Sequence, residues 1–105
     1  VVIVDQNRMQ LDGPCASILD TGSISKKFDA FGFESIEIDG HDVLALHDAL
    51  MQQSSRPRVI VAHTIKGRGF SFAENNVSFH DACVTDDLYK QAVSDLKVAE
   101  EGLAC

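Results

Sequence analysis

Three short strand-like runs, each separated from the next by a stretch with helical spacing, constrain this 105-residue chain more than any other feature. Residues 1–5 open with Val1-Val2-Ile3-Val4, a continuous β-branched run of the kind that forms a strand covered on both faces. Residues 34–39 alternate, with Ile36 and Ile38 on one side. Residues 58–65 contain Val59-Ile60-Val61-Ala62, a third buried strand. Between the first two runs, Ser23 can cap a helix in which Ile24, Phe28 and Phe31 fall at i, i+4 and i+7, and Gly32 ends it. Between the second and third, Asp39-Gly40-His41-Asp42 reads as a turn. Asp42 caps a helix striped by Val43, Leu46 and Leu50. A long loop over 66–84 leads to Thr85-Asp86-Asp87, a cap followed by two acids at the positive end of a helix dipole. Tyr89, Val93 and Leu96 give that last helix its apolar face.

Strands that alternate with helices imply a parallel sheet joined by right-handed crossovers. The expected fold is therefore α/β, a parallel sheet with helices on both faces. Three strands leave at least one edge open. The chain runs straight into an apolar strand at Val1, with no Met before it. The expectation is a single partial domain over 1–105 whose first strand lies in the interior of a larger sheet.

Charge narrows the partners. Sixteen Asp and Glu against nine Lys and Arg leave a net charge of −7, which argues against a nucleic-acid backbone or an anionic membrane. Basic residues are local, at Lys26 and Lys27 and again at Lys66 and Arg68, so a small anion could be held at one such spot. No apolar run approaches the roughly 18 residues of a membrane span, and no charged-then-apolar leader opens the chain. Cys15, Cys83 and Cys105 are widely spaced, without Cys-x-x-Cys. Neither a zinc site nor a disulfide framework follows, and reduced thiols in a cytoplasmic protein are the simple expectation.

In an open α/β sheet, ligands bind beyond the carboxyl ends of the strands. Two segments follow such ends, 5–13 and 66–80, and both fall on the same side of the sheet. Asn7 offers a neutral carbonyl oxygen of the kind magnesium accepts beside phosphate, carboxylate and water, or it is a turn residue. Lys66-Gly67-Arg68-Gly69 lets backbone N–H groups approach a phosphate, or it is a solvated turn. His80 can donate to a phosphate or carry a proton, or it is a surface residue. His41 fits a pre-helix turn and His47 a helix face, and no two His have metal spacing on one helix. Ser23 and Ser25 lack a Gly-x-Ser-x-Gly context. Cys15 and Cys83 have no visible activating neighbour.

Taken together, these segments resemble the transketolase family of thiamine-diphosphate enzymes. Val-Val-Ile-Val-Asp-Gln-Asn-Arg-Met-Gln-Leu-Asp-Gly (1–13) is similar to the closing part of the family's cofactor motif. Residues 31–42, Phe-Gly-Phe-Glu-Ser-Ile-Glu-Ile-Asp-Gly-His-Asp, look like the stretch after its next helix. Residues 63–76, with His-Thr-Ile-Lys-Gly-Arg-Gly, look like its Lys-Thr-x-x-Gly-x-Gly segment, closest to the short, split transketolase subunits. His80 falls where the family has Trp-His-Gly. The resemblance covers nearly the whole chain in order. It implies the later part of a doubly wound diphosphate-binding domain that acts with a pyrimidine-binding domain or subunit, dimeric in the complete enzyme. The implied reaction moves a two-carbon ketol unit between sugar phosphates, with thiamine diphosphate and Mg2+ as cofactors.

By the same resemblance, Asn7 is a magnesium ligand through its side chain and Met9 through its backbone carbonyl. Leu11 packs on the thiazolium, Lys66 lines the cofactor pocket, and His80 is the catalytic contact to diphosphate and sugar. The family's opening Gly-Asp-Gly is absent here, Asp81 stands in place of Gly, and His63 stands in place of Lys. Two alternatives accompany this reading: a non-catalytic association module of the same fold, and a related enzyme such as a deoxyxylulose-phosphate synthase.

Overall fold

The structure, a computed structural model, describes residues 1–103. In chain order the elements are β1 (Val2–Gln6), a hairpin of β2 (Met9–Gln10) and β3 (Gly13–Pro14), the short α1 (Cys15–Ile18), α2 (Ile24–Ala30), β4 (Glu34–Asp39), α3 (Val43–Met51), β5 (Arg58–His63), a 3-10 turn at Val77–His80, and α4 (Asp86–Leu103).

β1, β5 and β4 form one parallel sheet in that order, with Val2 opposite Val59 and Ser35 opposite Val59 on the other side. The chain steps from β1 across to β4 through α2, then back to β5 through α3. Right-handed crossovers that step in opposite directions lie on opposite faces. The sheet is therefore covered by α2 on one face and α3 on the other, as the alternation of strands and helices implies. β5 sits in the middle, and Val59, Ile60 and Val61 are its fully buried side chains.

Among the described residues β1 pairs with β5 alone and is an edge of this three-stranded sheet, with Ile3 54% exposed. An apolar run specifies a strand, but coverage depends on neighbours, and among the described residues β1 has one. The chain as a whole is thin, 19 Å across its shortest axis, with a radius of gyration of 16.7 Å. A compact domain of this length has roughly 13 Å. Its surface, 7617 Å², exceeds the roughly 5,800 Å² of a compact monomer of this mass.

The helix ends follow their sequence signals closely, and the helix faces less so. Ser23 Oγ accepts from Lys26 N at 3.2 Å. At the other end of α2, Gly32 takes φ 85°, its N–H donates to Asp29 O, and Phe33 N donates to Phe28 O. That is a Schellman ending. Its apolar contact is the edge-to-face pair Phe28–Phe33 at 5.1 Å. Phe33, not Phe31, thus completes the α2 face, since Phe31 is the C-cap and is 83% exposed.

In α3, the Asp42 carboxylate accepts from Leu44 N and Ala45 N. The buried position is Ala49, while Val43 and Leu50 face outward. The covered side is Ala45, Leu46 and Ala49, and the Ala49 backbone carbonyl accepts from the buried Arg58. Arg58 donates to Ala49 O at 3.0 Å, to Gln52 O, and to Glu34 Oε2 at 3.1 Å. This joins the end of α3 to the start of the sheet.

Thr85 Oγ1 accepts from Leu88 N and opens α4, with Asp86 and Asp87 in its first turn. The half-buried side of α4 is Leu88, Ala92, Val93 and Asp95, while Tyr89 and Leu96 lie exposed. Hydrogen bonds also tie α4 to the loop after β5. Ser71 N and Oγ both donate to Asp95 at 2.8 Å. Cys105 lies outside the described residues.

Candidate functional site

All three parallel strands release their chains at one rim, so the side chains beyond Gln6, Asp39 and His63 meet there. Asn7 begins the rim. Its Oδ1 accepts from Met9 N at 2.9 Å, closing a turn in which Arg8 takes φ 61°. Arg8 O accepts from Cys15 N, so the opposed pair Met9–Pro14 is a non-hydrogen-bonded one. The N–H and C=O of Met9 then point away from β3. One edge of the hairpin carries both the Asn7 side-chain carbonyl and the Met9 backbone carbonyl. Apolar periodicity in the sequence does not mark this hairpin. Its paired strands are only two residues each, too short for a periodic signal.

The β4 and β5 ends are locked together. Gly40 N donates to His63 O at 2.8 Å. A Cβ on Gly40 would sit 2.5 Å from Thr64 Cγ2, so only glycine lets the two ends approach. Asp39 Oδ1 accepts from His41 N, and Ile65 N donates to His41 Nε2 at 2.8 Å. That leaves the imidazole Nδ1 of His41 as its free nitrogen. Thr64 Oγ1 donates to the Asp5 carboxylate and ties β5 to β1.

Beside them runs a relay. Ser25 Oγ donates to Glu37 Oε1, and Glu37 Oε2 takes His63 Nε2 at 2.9 Å. The Ser25 hydroxyl first, and then His63, hold the Glu37 carboxyl below the usual range. An ionised carboxylate can only accept, so Nε2 is the nitrogen of His63 that donates to Glu37. His63 Nδ1 is buried without a hydrogen-bond partner among the described residues.

The loop after β5 folds on itself. Gly67 takes φ 72°, and a Cβ there would collide with the Ala73 carbonyl. Lys66 O accepts from Asn75 N, and Phe70, Phe72 and Phe79 stack in a row that holds the 3-10 turn.

Two clefts open on the rim. One, of about 670 Å³, runs from the hairpin past Cys15 and Asp20 to Ser23, with Glu37 and His63 along it. The other, of about 420 Å³, lies between the hairpin and the loop after β5, lined by Arg8, Asp39, His41, Arg68 and Asn75. Asn7, Met9 and His63 line both. Of the residues singled out by resemblance, Asn7 and Met9 are thus brought together. Leu11 is at the hairpin tip, 62% exposed, and Lys66 and His80 stand outside both clefts. Arg68, one of the basic residues singled out for a small anion, lines the second cleft, while His63, Glu37 and Arg8 reach the clefts without having been foreseen as site residues. For His63 a signal existed, since it is the last residue of a strand at a carboxyl end.

The chain matches the family described as "Transketolase, thiamine diphosphate binding domain" over residues 1–101. It belongs to the transketolase family. It is 36% identical over 99 residues to one subunit of the apulose-4-phosphate transketolase of Actinobacillus succinogenes, covering 92% of this chain and 36% of that one. It is 31% identical to human transketolase over 96 residues, 91% of this chain and 15% of the human one. The crystal structure of transketolase from Campylobacter jejuni superposes with a TM-score of 0.83 at 28% identity, over 90% of this chain and 15% of that one. This transketolase-family chain therefore spans about a third of the length of the curated bacterial relative, and less of the longer enzymes.

Proposed function

We propose that this chain forms part of the diphosphate- and magnesium-binding half of an enzyme that transfers a two-carbon ketol unit between sugar phosphates. In this reading it works with a pyrimidine-binding domain or subunit, in a dimeric cytoplasmic enzyme. The observation that carries the proposal is the Asn7–Met9 edge, where the Asn7 side-chain oxygen sits on Met9 N at 2.9 Å and the Met9 carbonyl turns away from β3. Neutral hard oxygens suit Mg2+, which also takes carboxylate, phosphate and water ligands. Among the described residues no group of three His, Cys, Asp or Glu could hold a metal. The two carbonyls therefore fit as part of a donor set whose carboxylate comes from elsewhere in the enzyme. Relatives that are themselves named as transketolase subunits support a second polypeptide.

Thiamine diphosphate would supply the nucleophilic carbon that carries the two-carbon unit. Asn7 and Met9 orient the metal end. The Asx turn holds their spacing before any ligand arrives, which reduces the ordering cost of binding. Glu37 keeps the His63 proton on Nε2 at the cleft wall. Calorimetry of the complete enzyme tests the reading. Binding of thiamine diphosphate should depend on Mg2+ and weaken about 10- to 100-fold in Asn7→Ala, while Asn7→Asp, which keeps an oxygen, should retain part of it. No Mg2+-dependent binding by the complete wild-type enzyme would sink the proposal.

The placement of Lys66 and His80 outside both clefts favours a second reading, an association module without catalysis. Ketol transfer by the complete enzyme, lost in Asn7→Ala, decides against it. A deoxyxylulose-phosphate synthase shares the same metal edge and is separated by substrate assay.

A further inference from the structure

We propose that Arg8 and Arg68 form a clamp for a phosphate dianion in the cleft between the hairpin and the loop after β5, an inference that rests on the transketolase reading above. Arg8, which lines both clefts, and Arg68 are the two arginines on the lining of this cleft of about 420 Å³. Neither makes an ion pair or a side-chain hydrogen bond among the described residues, although acids outnumber bases sixteen to nine in the chain. Two like charges facing one small cleft repel each other until an anion arrives. Asp39 is the one carboxylate on the lining, and its Oδ1 already accepts from His41 N.

The backbone fixes both loops that carry the cleft. Arg8 at φ 61° is held by the Asn7 turn, and Asn75 at φ 53° by its N–H to Lys66 O, and both residues line this cleft. The two loops are therefore in place before an anion arrives. His41 adds a free ring nitrogen, since its Nε2 is occupied by Ile65 N–H. Planar guanidinium forks match phosphate oxygens two at a time, which a lysine cannot do. Arg68 takes the anion-holding role that the sequence shared between Lys66 and Arg68, because Lys66 is not on the cleft.

The dianion has two sources of the same chemistry, the phosphate of a sugar substrate and the diphosphate end of the cofactor. Inorganic phosphate is the probe, titrated calorimetrically into the complete enzyme with and without saturating thiamine diphosphate and Mg2+. Phosphate should bind the unloaded wild type, and Arg68→Gln and Arg8→Gln should each weaken it about tenfold or more. Arg68→Lys should recover part of the loss, and unchanged melting curves exclude misfolding. Phosphate that still binds the loaded enzyme marks a substrate-phosphate site. Phosphate displaced by the cofactor marks a diphosphate site. Either outcome supports the clamp. No phosphate binding by the wild type, or equal binding by the glutamine variants, overturns it. The two readings stay apart because phosphate is titrated without thiamine diphosphate or Mg2+, so the loss in Arg8→Gln or Arg68→Gln is read whether or not cofactor binding depends on Mg2+.

Discussion

β1 and β5 carry almost the same chemistry and meet opposite fates. Val2-Ile3-Val4 stands in register against Val59-Ile60-Val61. Ile60 is fully buried while its partner Ile3 is 54% exposed. β5 has a strand on each side and a helix over each face. Among the described residues β1 has one strand beside it. Burial is thus set by where a strand stands in the sheet, and composition reports only that it is a strand.

The largest effect expected from that contrast is in paired truncations. Ile60→Ala should destabilise the chain by about 2–5 kcal/mol, the range for a core residue that leaves a cavity. Ile3→Ala should cost under about 1 kcal/mol, because much of its side chain is already in water. Urea unfolding reads both. Equal costs would break the comparison. Repeating Ile3→Ala in the complete enzyme sharpens it, since a cost rising to that of Ile60→Ala means other polypeptide covers β1 there.

A smaller effect tests the one charge buried in β5. Arg58 is 3% exposed and supplies donors to Ala49 O, Gln52 O and Glu34. Arg58→Met keeps much of the volume but strands two backbone carbonyls at the end of α3. The expected cost is about 2 kcal/mol, from the usual penalty for unpaired buried acceptors. Amide exchange should speed up in the last turn of α3 and at the start of β4, and not in β1. Uniform acceleration across the sheet would show instead that Arg58 supports the whole fold.

The same contrast explains how much was legible in the sequence. Strand positions, helix caps and the Gly32 ending were readable, because each rests on a local rule: β-branched runs, Ser23 and Asp42 oxygens, a left-handed glycine. Which face of α3 and α4 is covered was not readable. Val43 and Leu50 satisfy the apolar period as well as Ala49 does, yet of the three Ala49 is the buried one. At the rim, Asn7 and Met9 were found through resemblance. Arg8, Glu37 and His63 were missed because their proximity depends on the strand order β1-β5-β4, which brings residues 26 and more positions apart into contact.

The smallest expected effect is acid sensitivity on the β4–β5 seam. A hydrogen bond from Ser54, and then Arg58, hold the Glu34 carboxyl below its ordinary 4.5. A depressed carboxyl contributes stability that is present above its unfolded value and is lost as the pH falls through its folded one. Glu34 is solvent-accessible, so screening keeps the contribution small. Glu34→Gln should therefore lower the urea midpoint slightly at pH 7 and converge with the wild type well below pH 4.5. In an Arg58→Met background the pH 7 effect should shrink but not vanish, because Ser54 still donates, so the two substitutions should be less than additive. Additive effects would mean that the Arg58–Glu34 contact at 3.1 Å carries no coupling.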